Sequence, residues 1–128
     1  MFMACSMSNA SSPRDALSRL EQMIGMAGTA MSQESIRAQI ASAIDIIVQT
    51  QRLSDGGRRV ISISELTGME GPVVQMQEIY HFVRRDVTSE GVVVGEFRAT
   101  GVRPRFAQEA ATLGYHFAKD AFNPQVPL

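Results

Sequence analysis

The chain has 128 residues, 45% of them hydrophobic and 20% charged, with a formal net charge of −1. That length suits one domain around one modest core, and the balanced charge gives no electrostatic reason to expect a nucleic acid or a membrane surface as partner. A single cysteine, Cys5, excludes an internal disulfide and argues against a cysteine-based metal site.

No apolar run approaches the ~20 residues of a membrane helix. Residues 1–10 lack a basic n-region and a full apolar h-region, so they do not read as a secretory signal; they are expected to be a divergent or disordered N-terminus. The absence of a disulfide framework agrees with a reducing cytoplasm. The positive charge is almost all arginine, which suits bidentate contact with carboxylates or phosphates.

The first expected element is a helix starting at Ser12, with serine as N-cap, Pro13 at the first helical position and Asp15 three residues after the cap. Leu17, Leu20, Met23 and Ile24 recur at helical spacing and should face the core. Gly25 and Gly28 end that helix or loosen its last turn. Ser32 caps a second helix, with Glu34 in its first turn and Ile36, Ile40 and Ile44 four apart on one stripe.

From Ile46 the chain reads as strands joined by turns. Residues 54–57 separate a strand at 46–53 from one at 60–66, as a hairpin loop does. Residues 68–72 separate that strand from one at 73–83, with Pro72 at a strand start, and residues 88–91 turn into a strand at 92–97. After a break at 101–104, a helix over 105–113 precedes a tail expected to fray. The order is two helices, about four mostly antiparallel strands and a C-terminal helix, an α/β or α+β reading.

Five blocks stand in a telling order: Ser12-Pro13-Arg14-Asp15-Ala16-Leu17-Ser18-Arg19-Leu20-Glu21, Gln39-Ile40-Ala41-Ser42-Ala43, Arg52-Leu53-Ser54-Asp55-Gly56, Thr67-Gly68-Met69-Glu70-Gly71 and Thr100-Gly101-Val102-Arg103-Pro104-Arg105-Phe106. Together they resemble the C-terminal part of the ATPases that drive tight-adherence (Flp) pilus assembly, relatives of the type II and type IV secretion traffic ATPases. The resemblance covers residues 11–117 and leaves 118–128 as a tail. It implies an α/β fold, the C-terminal portion of a RecA-like P-loop ATPase domain without its phosphate-binding half. The P-loop signature G-x-x-x-x-G-K-[ST] is absent, and the one lysine, Lys119, follows no glycine loop.

The intact family uses ATP and magnesium, works as a cytoplasmic hexamer and docks on an inner-membrane assembly platform. This chain is expected to need no cofactor, to hold no catalytic residue or metal site, and to be inactive alone. Its implied partners are itself or full-length subunits, with no nucleic acid. A truncated domain is one implied role; a stand-alone module that binds rings of a full-length paralogue is the alternative.

By family analogy Asn9, at the position of the family's histidine box, and Arg14 lie near the nucleotide. Arg14 and Arg19 also read as solvated helix residues, with Asp15 and Arg19 an i,i+4 pair. Arg52, Arg58 and Arg59 flank the Asp55-Gly56-Gly57 turn, and Arg103 and Arg105 bracket Pro104. In a ring ATPase such arginines can reach a neighbouring subunit's nucleotide; as plain surface residues they would be exposed or pair at an interface. Glu65, Glu70 and Glu78 lack a nucleophile or histidine cluster beside them and read as charged strand and loop positions. His81, between Tyr80 and Phe82 on a strand, should face away from both.

Overall fold

The computed structural model describes the backbone of residues 3–6 and all of residues 11–128. Helix α1 (Pro13–Met26) starts where Ser12 Oγ accepts the Asp15 N–H at 3.1 Å. Asp15 Oδ2 in turn accepts the Ser11 N–H at 3.0 Å, so the reciprocal bond of a capping box lands one residue ahead of the cap. The helix runs through Gly25, and Gly28 turns the chain beyond it at φ 75°. Helix α2 (Gln33–Ala43) is capped in the same way by Ser32, whose Oγ accepts the Ser35 N–H.

One five-stranded sheet follows the chain order β1 (Met3–Ser6), β2 (Ile46–Arg52), β3 (Arg58–Glu70), β4 (Val73–Val87) and β5 (Val93–Ala99). Strands β2 to β5 form an antiparallel meander, while β1 lies parallel to β2 with Met3 opposite Ile46. The α/β reading holds, with three helices and four antiparallel strands as expected. Met3–Ser6 is a strand within the segment expected to be divergent or disordered.

The break expected at 68–72 is shorter in the structure. Strand β3 continues through Gly68, which sits at φ 130° beside a register shift between Leu66 and Gly68, and the turn is confined to Gly71 and Pro72. A bulge glycine and a turn glycine look alike in sequence, because both supply a backbone that side chains disfavour.

The two helices cover one face. Leu17, Ile36, Ile40 and Ile44 pack with Ile47, Leu66 and Val74, and each fully buried aliphatic side chain contributes about 1.5–3 kcal/mol. Helix α3 (Arg105–Thr112) and the C-terminal segment lie with a cluster of aromatic rings: Phe122 sits 6.0 Å from Tyr80, 6.4 Å from Phe106 and 5.4 Å from Phe117.

The tail does not fray as expected. The Tyr80 hydroxyl donates to the Ala121 carbonyl at 2.8 Å, Arg98 Nη1 donates to the Pro124 carbonyl at 2.9 Å, and the Leu128 N–H donates to Phe97 O at 3.2 Å. Ring burial and these bonds offset the ordering entropy, which two prolines already reduce.

Candidate functional site

A cleft of about 610 Å³ opens beside the first turn of α1. Ser11, Ser12 and Pro13 form one wall, and the sheet supplies Gln49, Ser62 and His81, which are aligned across β2, β3 and β4. Arg52, Ser54, Glu78 and Arg84 add polar groups to the lining, and Leu53, Ile61 and Phe82 add apolar ones. Ser62 Oγ donates to Gln49 Oε1 at 3.4 Å, both side chains being buried. His81 Nδ1 lies 3.2 Å from Glu78 Oε2, so its ring meets a carboxylate and not a serine or threonine hydroxyl. The arrangement can hold a polar molecule by hydrogen bonds, but it assembles no nucleophile with a base.

Nor do the residues present fit a magnesium nucleotide. The Ser11 and Asp15 N–H groups at the start of α1 already donate to the Asp15 and Ser12 side chains, and Pro13 has no N–H to offer. Among the described residues no group of three or more His, Cys, Asp or Glu is placed to hold a metal ion.

The sequence-selected residues fall in different places. Asn9 lies outside the described residues. Arg14 does not line the cleft; its Nη1 donates to the Val74 carbonyl at 3.3 Å and ties α1 to the start of β4. Arg19 Nε stands 3.8 Å from Asp15 Oδ2, the expected i,i+4 pair.

Arg52 Nε donates to Gly56 O across its own turn, Arg58 is exposed opposite Arg52, and Arg59 pairs with Asp55 at 3.1 Å while its guanidinium lies 5.6 Å over the Phe82 ring. Arg105 Nη1 donates to Thr67 O at 2.6 Å, near the far end of β3, and Arg103 is exposed nearby in sequence. Nine residues of β3, roughly 30 Å, separate Arg58 from Thr67. The five arginines therefore form two groups, not one patch. His81 lines the cleft while the Tyr80 ring stacks on Phe97, but Phe82, expected on the Tyr80 side, lines the same cleft.

Two carboxylates matter more than the sequence suggested. Glu65, 4% exposed, accepts the Arg105 N–H on Oε2 and the Phe106 N–H on Oε1, both at 2.9 Å, and Gln77 Nε2 also donates to Oε2. The N-cap residue of α3 is Pro104, which has no side-chain acceptor, so a carboxylate from the middle of the sheet caps this helix.

Asp55, in the β2–β3 turn, accepts the Gly57 N–H on Oδ1 and the Val93 N–H on Oδ2. The Val93 bond first, then Gly57 and Arg59, hold its carboxyl below the usual carboxylate range. Glu96 is held low in the same direction by Arg98 and Arg85, and burial pushes the Tyr80 phenol up. The N–H groups that Glu65 accepts from in α3 lie 40 and 41 positions downstream in sequence, and no local pattern announces such a bond.

No helix among the described residues is long and apolar enough to cross a membrane. No protein-family model and no curated protein matches this chain.

Proposed function

We propose that this chain is the C-terminal part of a RecA-like traffic-ATPase domain of the tight-adherence pilus type, contributing sheet and subunit contacts but no phosphate chemistry. The observation that carries the reading is the order of the five sequence blocks between Ser12 and Phe106. The crossover from β1 through α1 and α2 to the parallel strand β2 supports it, since parallel pairing through helices is the building unit of α/β nucleotide-binding sheets. In this reading the protein acts in the cytoplasm with full-length subunits at an inner-membrane platform, and ATP and magnesium belong to those subunits.

The test is co-expression with a full-length tight-adherence ATPase, followed by affinity capture and ATP-turnover measurement. Co-capture with altered turnover of the full-length enzyme, and no turnover by the short chain alone, is the expected result. Hydrolysis by the purified short chain, or no co-capture, overturns it.

A second reading, a free-standing module that modulates such rings, is favoured by the exposed methionines of α1. Met23 and Met26 are 67% and 86% exposed, an adaptable apolar surface open to a partner. It separates from the first reading by a denaturing blot of native extract. A band near 14.0 kDa supports the module, and a band several times larger supports a domain of an intact ATPase.

A further inference from the structure

An antiparallel strand points both the N–H and the C=O of alternate residues to the same side. In β5 the Phe97 carbonyl accepts a bond from Leu128, which lies outside the sheet ladder, so Phe97 faces the free edge. Two residues earlier Gly95 faces it as well, and two earlier again Val93, whose N–H is taken by Asp55 and not by β4. The outer edge of β5 is thus closed at one end by the β2–β3 turn and at the other by the tail. The tail adds one bridge only, Arg98 opposite Pro127, and a proline cannot extend a ladder. Val92 and Val94 remain exposed beside it.

We propose that residues 123–128 and Asp55 form a two-point latch on the β5 edge. Its release opens that edge to antiparallel pairing with β5 of a second copy of this chain. Unguarded edges are templates for strand addition, and natural sheets blunt them with prolines, charges and covering segments.

The occupant follows from the strand's own charge order. When two copies of β5 pair antiparallel about Phe97, Glu96 of each strand falls opposite Arg98 of the other on both sides of the centre, and Gly95 falls opposite Ala99. Opposite charges directly across a ladder are favourable and like charges are not. The same register needs the Phe97 carbonyl that Leu128 occupies, so strap and second copy compete for one acceptor. The low carboxyl of Asp55 keeps its end of the latch closed at neutral pH. Arg59 faces that carboxylate, Glu96 and Arg98 are the charged groups further along β5, and Arg85 of β4 pairs with Glu96. This inference is independent of the ATPase reading.

Leu128→Pro removes the N–H that holds Phe97, at an exposed terminal residue, and Asp55→Ala removes the other clamp. Self-association of the full-length variants is measured by sedimentation up to roughly millimolar concentration, with amide exchange at Gly95 as the local readout. The expected result is self-association at least about tenfold tighter than wild type in the double variant. It comes with slowed Gly95 exchange in the associated species, and Leu128→Pro alone shifts in the same direction. Folded variants that associate no more than wild type, or that associate without protecting Gly95, overturn the proposal. If the double variant does not fold, Leu128→Pro alone decides on the same two criteria.

Discussion

Glu65 is a charge placed where charges are expensive, and it is stable there because three donors converge on it. Removing it leaves the Arg105 and Phe106 N–H groups of α3 without their acceptor. Glu65→Ala is expected to destabilise the fold by about 3 kcal/mol, and Glu65→Gln, which keeps one acceptor oxygen, by roughly half that. Urea unfolding read by circular dichroism checks both, and a Glu65→Gln variant as stable as wild type beside a destabilised Glu65→Ala would mean that volume, not hydrogen bonding to the carboxylate, sets the effect. Gly95 is constrained differently. A Cβ there would stand 2.4 Å from Phe82 Cζ and 2.6 Å from the Val83 carbonyl oxygen, and that oxygen is backbone and cannot rotate away. Gly95→Ala should lower stability by about 2 kcal/mol. Phe82→Leu in the same chain should recover only part of it, and full recovery in thermal melts would show that the ring alone is in the way.

At the scale of elements, the β2–β3 turn reaches beyond its own hairpin, since Asp55 binds both Gly57 within the turn and Val93 at the start of β5. Folding lowers its pKa, so the folded state binds its proton less readily than the unfolded chain does. The stability it adds is complete above the ordinary carboxylate range and is lost as pH falls below about 4; Glu96 contributes in the same direction. Unfolding midpoints measured from neutral pH down to about pH 3 should therefore fall less steeply in Asp55→Asn than in wild type. Parallel curves would remove Asp55 from the acid response.

The helices were legible in the sequence because their signals are local: Ser12 and Ser32 cap, and Ile36, Ile40 and Ile44 are one turn apart. The hairpin order was legible for the same reason. What was not legible depends on distant partners. Met3–Ser6 becomes a strand through β2, the tail is seated by Tyr80, Phe97 and Arg98, and Glu65 finds its donors in α3. Arg14 was placed near a nucleotide by family analogy, and its tie to a carbonyl at the beginning of β4 has no local signal either.

For the molecule as a whole, the uneven covering of the helical layer has a measurable effect. Met23 and Met26 stand out from α1 and bury little, so changing both to glutamine should reduce binding of an apolar fluorescent dye. It should shift stability by no more than about 0.5 kcal/mol. Unchanged fluorescence would place the exposed apolar surface elsewhere. The parallel pair β1–β2 bears on something else, the order of assembly in time. Arg52 and Arg58 meet across a short turn, whereas Met3 meets Ile46 only after both helices have been bridged. Closing the longer loop costs between about 1 and 2 kcal/mol more in chain entropy. The meander and its helices must therefore form before that cost is recovered, and β1 is the last of the five strands to take its seat.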